Sequence, residues 1–250
     1  MTASELLFLA AAGFGAGVVN GVAGGGSMVS FPALLAVGVP SLAANVTSTV
    51  GIWPGYLGGV AGFRRALAAQ RDRLRPLAAV ALAGAVVGAL ALLVTSEDGF
   101  DALAPWLVLL ACGLFAAQPL LARRLTAFGP TPRGHGALRY GGVFAGAVYG
   151  AYFGAGLGVL LLAVLGITLP GRLVDLNGIR SVLALLVNSI AVVVFAVAAP
   201  VEWAAAGTMA AASLVGGYVG ATASTRLPVP VFRVVVLALG LAAFVGLLAT

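Results

Sequence analysis

The thirteen arginines of this 250-residue chain fall in four short polar gaps between long apolar stretches, and there is no lysine at all. The gaps run from Arg64 to Arg75, Arg123 to Arg139, Arg172 to Arg180 and Arg226 to Arg233. Five of the seven acids lie elsewhere. Glu5 is near the N-terminus, Glu97, Asp98 and Asp101 share a gap from Thr95 to Ala104 with no positive residue, and Glu202 sits in a short turn. Positively charged loops stay in the cytoplasm. The alternation therefore predicts a multi-pass protein of the cell inner (plasma) membrane, embedded in the lipid bilayer with arginine gaps inside and acidic gaps outside.

Composition excludes the soluble classes. With 62% hydrophobic and 8% charged residues and a mean hydropathy of +1.14, no soluble domain of this length fits. The pI near 10.4 would suggest nucleic acid in a soluble protein. Here the basic residues are juxtamembrane, so no nucleic-acid partner is expected. The one cysteine, Cys112, lies mid-span and the one histidine, His135, in a polar loop, so no disulfide, metal site or cofactor is expected. Met1 to Glu5 carries no basic residue, and no cleaved signal peptide is expected.

A hydrocarbon core about 30 Å thick needs roughly 20 apolar residues in helix. Residues 41–63, 76–94, 104–122, 174–199, 203–224 and 232–249 meet that need simply. Residues 5–38 and 140–169 do not. Each is too long for one helix and too short for two, and each is interrupted by glycines: Gly24, Gly25 and Gly26 in one, Gly154, Gly156 and Gly158 in the other. Charge places both flanks of each broken segment on one side, which predicts re-entrant hairpins with glycine tips inside the bilayer. The fold class expected is all-α: two inverted repeats, each a broken-helix hairpin plus three transmembrane helices. The first repeat covers residues 1–125, a cytoplasmic linker 126–138, and the second repeat 139–250, with both termini outside. The alternative is eight transmembrane helices in two parallel repeats, with each broken segment a single kinked span.

The halves also share a pattern. Gly13, Gly17, Gly21 and Gly25 recur every fourth residue, as do Gly142, Gly146, Gly150 and Gly154. After each tip come a short apolar arm, a proline (Pro40, Pro170), and then Asn45, Thr47 and Ser48 or Asn177 and Arg180. Glycine at four-residue spacing lets another helix approach closely, which is a packing role. The tips differ, because a broken helix leaves backbone N–H groups without partners, and a helix N-terminus attracts an anion. Inverted repeats with broken helices form the substrate site of many secondary transporters near the midplane. The candidate substrate-binding residues are Gly25, Gly26, Ser27, Asn45, Thr47, Ser48, Gly154, Gly156, Gly158, Asn177, Arg180 and Asn188, around a small anionic substrate. Each has a plainer alternative: hydroxyl bonding to the helix backbone for Thr47 and Ser48, a snorkelling anchor for Arg180, and a helix–helix bond for Asn188.

The run Gly21 to Ser27, then Phe31 to Leu35, Gly38 to Pro40 and Ala44 to Ser48, resembles the TauE/SafE sulfite exporter family. The second-half run Asn177 to Arg180, Asn188, Val201 to Trp203 and Gly216 to Ala221 is similar to that family's second half. The resemblance covers nearly the whole chain and implies export of sulfite or an organosulfonate such as sulfoacetate. One departure is that Ile179 and Arg180 stand where the first half has Thr47 and Ser48, which favours a site with one permanent cation. Electrogenic uniport suffices for an anion leaving a negative interior, and proton-coupled transport stays open. The rival readings are a non-transporting membrane scaffold and an intramembrane enzyme. The enzyme is disfavoured because Ser27 has no base or acid pair within the spans. Oligomeric state has no signature in the sequence.

Overall fold

The computed structural model describes residues 1–22, 24–63, 67, 70–127, 136–223 and 229–248. Its elements are α1 (Ala3–Val22), α2 (Ser27–Ala36), α3 (Ser41–Gly62), α4 (Arg71–Leu93) and α5 (Glu97–Ala127). They continue with α6 (Gly136–Tyr152), α7 (Leu157–Thr168), α8 (Leu173–Ala198), α9 (Trp203–Ala223) and α10 (Val229–Leu248). No strand occurs among the described residues. Arg64, Arg65, Arg133, Arg226 and His135 lie outside the described residues, as does most of the expected 126–138 linker.

Among the described residues, five helices are long and apolar enough to cross a membrane: Ala3–Val22, Asp72–Leu93, Glu97–Leu120, Leu173–Ala198 and Trp203–Thr222. Helix α3 has the length, 22 residues, but Asn45, Thr47, Ser48, Thr49 and its glycines make it less apolar. The two broken segments fold as antiparallel helix pairs of unequal arms. In the first, α1 has 20 residues and α2 has 10; in the second, α6 has 17 and α7 has 12. At 1.5 Å per residue the return arms are only about 15–18 Å long, about half the thickness of a bilayer's apolar core. Gly24 (φ +76°) and Gly154 and Gly156 (φ +79° and +80°) make the reversals, in a left-handed region that side chains with a Cβ avoid.

The glycine stripes serve close packing, but against different partners. On α1, Gly13 meets Met209, Gly17 meets Ser213 and Gly217, and Gly21 meets Ala221, all on α9. On α6, Gly142, Gly146 and Gly150 instead seat Val164, Leu160 and Leu157, side chains of its own return arm α7. Between the hairpins lies an aromatic contact, Phe31 against Phe153 at 5.4 Å between ring centroids, with Phe100 beside Phe153 at 6.4 Å.

Charge is sorted to the two ends of the bundle. At one end Ser41, starting α3, hydrogen-bonds Asp101, Thr95 meets the Tyr152 hydroxyl at 3.1 Å, and the Glu202 N–H donates to Thr47 Oγ1 at 2.9 Å. At the other end Arg73 donates to the Pro170 carbonyl and Arg139 to the Thr168 carbonyl, at 2.8 and 2.6 Å. Arg172 pairs there with Asp175 at 3.1 Å. That hydrogen bond, and then the Asp175 charge, push the exposed Arg172 guanidinium above its ordinary pKa. One boundary needs correction: the acidic gap expected over Thr95 to Ala104 is mostly helix. The turn closes by Ser96 and α5 starts at Glu97, where Glu97 and Asp98 in the first turn complement the helix dipole.

Candidate functional site

The two hairpin tips meet each other. The Gly158 N–H, at the start of α7, donates to the Gly24 carbonyl at 3.0 Å. A Cβ on Gly158 would lie 2.5 Å from Gly24 Cα, so only glycine at both positions lets the backbones approach this closely. Arg180 of α8 projects its guanidinium into this junction, and a Cβ on Gly24 would run into its Nη1. Arg180 is 1% exposed and heads the fully buried side chains in size. Its Nε and Nη1 have no hydrogen-bond partner. Among the described residues the ion pair is Arg172–Asp175, and no carboxylate pairs with Arg180.

Asn20, Tyr56 and Asn188 lie close by. Asn20 of α1 is buried; its Oδ1 accepts the Gly26 N–H at 2.7 Å, and its Nδ2 has no partner. Tyr56 of α3 sits beside Arg180, Asn20 and Asn188. Asn188, buried on α8, donates from Nδ2 to the Ala184 carbonyl one turn back, at 2.9 Å. A cavity of about 10 Å³ lies between Asn20, Gly24, Tyr56, Gly158, Arg180 and Ser181, room for about one water. A far larger cavity, about 790 Å³, lies at the acidic end between α1, α2 and α10. It is the wrong chemistry for an anion: its walls are mostly aliphatic, and its charged lining groups are Glu97 and Asp101.

Of the residues singled out by sequence, Gly158 and Arg180 meet in the junction and Asn188 reaches it through Tyr56. The others lie apart. Gly25 faces the Phe115 ring, Gly26 packs on Ala16 and Asn20, and Gly156 packs on Ala111 and Leu114. Ser27 is buried beside Gly154. Asn45 donates to the Tyr152 carbonyl at 2.9 Å, Ser48 shares a 2.6 Å hydrogen bond with Ser30, and Thr47 caps Glu202. Asn177 donates to the Leu173 carbonyl of its own helix at 3.0 Å. The expectation of free N–H groups at the tips is not met at Gly26 and Gly158. Gly26 N–H goes to Asn20, Met28 and Val29 close on the Gly25 and Gly26 carbonyls, and Gly158 goes to Gly24. Buried backbone donors find protein partners when the turn can supply them. Nor is Arg180 an interfacial anchor, because a snorkelling arginine keeps its head in water.

Sequence reasoning placed Gly24 in the first tip but missed Asn20 and Tyr56 as parts of the junction. The available signal was Asn20, an amide in the middle of a glycine stripe within an apolar helix, where polar side chains are costly.

The family model described as sulfite exporter TauE/SafE matches residues 9–247. The chain belongs to this family. ORF9 of Sinorhizobium sp, named a probable membrane transporter protein, is 33% identical over 115 residues, covering 46% of this chain and 44% of that protein. The chain thus spans less than half the length of this curated relative. No solved structure gives a significant match. Membership of this family, with five helices of membrane-crossing length and hydropathy, makes the chain a multi-pass membrane protein.

Proposed function

We propose that the chain is a membrane transporter that moves a small anion, a sulfite or organosulfonate, out of the cell across the plasma membrane. The observation that carries the reading is Arg180, a fully buried guanidinium with unpartnered nitrogens and no counter-ion at the meeting point of two helix breaks. An uncompensated buried charge costs several kcal/mol, and intramembrane ionisable groups mark substrate or ion pathways. An anion is the partner that would offset that cost. The sulfur chemistry rests on the family description.

In this reading the hairpins enter from opposite faces as an inverted repeat. The first return arm leads to Ser41 at the acidic end, the second to Thr168 and Pro170 at the arginine end. A 10 Å³ cavity is too small for an oxyanion, so passage requires the Gly24–Gly158 contact to part. The membrane potential, inside negative, favours anion exit by about 2.3 kcal/mol per charge per 100 mV.

The test is flux in proteoliposomes with sulfite, sulfoacetate, sulfate and acetate under an imposed potential. Flux of a sulfur oxyanion is expected, faster when the destination side is positive, and Arg180→Ala lowers it at least tenfold, about 1.4 kcal/mol. No flux of any anion, or undiminished flux in Arg180→Ala, overturns the reading. Potential-independent flux replaces uniport with electroneutral proton coupling.

A further inference from the structure

We propose that the 790 Å³ cavity at the acidic end is a lipid site: an acyl chain lies between α1, α2 and α10, and an ammonium headgroup lies at Glu97 and Asp101. Its volume is that of a ligand pocket, about 300–1,000 Å³. The cavity follows from the short return arm. Helix α2, ten residues long, packs on α1 on one side and on α10 on the other, each of 20 residues. Among the described residues α1 and α10 scarcely touch each other, which leaves a trough along α2. There it is lined by Val29, Pro32, Ala33 and Ala36, whose i, i+3, i+4 and i+7 spacing is one helix face. Met28, Phe31 and Leu34 turn the other way, into the core. A helix apolar all round needs cover all round, and acyl chains are the cover that a bilayer supplies.

The end of the trough selects the headgroup. Glu97 and Asp101, one turn apart on α5, are its charged lining groups, and both are exposed. The Ser41 hydroxyl donates to Asp101 Oδ1. An ionised carboxylate accepts at about four sites, so Asp101 keeps room for a further donor. No basic residue lies between Thr95 and Ala104 to neutralise the pair. A primary ammonium brings a positive charge and three N–H donors to this rim. A headgroup whose only charge is its phosphate meets two like charges there instead. Phosphatidylethanolamine therefore fits the trough at both ends, and phosphatidylglycerol fits it at the apolar end alone. The site is separate from the Arg180 junction and does not depend on the anion reading.

The full chain in nanodiscs of phosphatidylglycerol gives the test. Trace phosphatidylethanolamine or trace phosphatidylglycerol, each with the same photoreactive acyl chain, is crosslinked, and the labelled peptides are mapped by mass spectrometry. Labelling around Val193 and Val197, which are 65% and 87% exposed on α8, reports ordinary contact with lipid. Relative to that face, the ethanolamine probe should label residues 29–36 and 239–247 about fivefold more than the glycerol probe, as two exposed charge pairs allow. Glu97→Gln with Asp101→Asn keeps both shapes and an acceptor for Ser41, and should bring the two probes to parity. The same ratio in the trough as at Val193 and Val197 means unselective acyl contact and overturns the inference. An unchanged preference in the double variant overturns it too. A trough that neither probe labels, with Val193 and Val197 labelled, means that a second copy or another protein covers it, and the lipid site is lost. If the double variant does not assemble, Glu97→Gln alone should lower the preference, and an unchanged preference there is equally fatal.

Discussion

Two glycines with nearly the same backbone show how surroundings decide what a residue does. Gly24 and Gly38 have φ of +76° and +82°. A Cβ on Gly38 would meet nothing within 4 Å, whereas on Gly24 it would collide with the Arg180 guanidinium and come within 2.7 Å of Gly158 Cα. Gly38→Ala therefore pays only the left-handed strain, about 1–2 kcal/mol, and should keep its flux with a modest loss of thermal stability in detergent. Gly24→Ala should lose flux at least tenfold, because Arg180 and the facing tip must both shift. Equal flux in the two variants would detach the tip contact from transport. At this scale the sequence showed which residues were unusual but not what they touch. Arg180 and Gly158 were legible because charge and helix breaks are rare in apolar spans. Tyr56 was not, since one aromatic in a helix of Gly, Val and Trp carries no signal of its own. Gly25 was legible as a break, yet its role is set by Phe115, ninety residues away in the chain.

At the scale of elements, hydropathy alone located most spans, because about 20 apolar residues is a physical requirement rather than a preference. The expected 41–63, 174–199 and 203–224 are realised as Ser41–Gly62, Leu173–Ala198 and Trp203–Ala223. Which helix each glycine stripe would face was not legible, since both stripes have the same four-residue spacing. That choice belongs to α9, whose Gly216, Gly217 and Gly220 return the fit against Phe14, Gly55 and Val18. In a bilayer, where burial of apolar surface drives little association, such backbone-to-backbone contact holds helices together. Gly217→Val would force α9 away from the Gly55 backbone and should reduce the yield of monodisperse protein severalfold. Gly207→Ala, on the same helix with nothing within 4 Å of the new Cβ, should leave yield unchanged. Comparable losses in both would mean that general helix propensity, not close approach, governs α9.

For the whole molecule, the sorting of charge to opposite ends is what ties the hairpins to transport. Asp98 lies at the end where Ser41 meets Asp101, and Arg172 at the end where Arg73 and Arg139 bind the Pro170 and Thr168 carbonyls. Helix α8 begins directly after Arg172 and runs toward Glu202, so the two positions fall on opposite faces of the bilayer if α8 crosses it. Arginine-bearing loops resist translocation, which predicts that the Arg172 end is cytoplasmic. A single cysteine at each position, in a chain whose own Cys112 is buried and replaced by alanine, reads this out. A membrane-impermeant maleimide added to intact cells should label Asp98→Cys, and should label Arg172→Cys only after permeabilisation. Outside labelling of Arg172→Cys would put the two ends of the second broken segment on opposite sides of the bilayer. The hairpin pair would then give way to eight crossings in parallel repeats, and the Gly24–Gly158 contact would lose its meaning as a meeting of oppositely inserted tips.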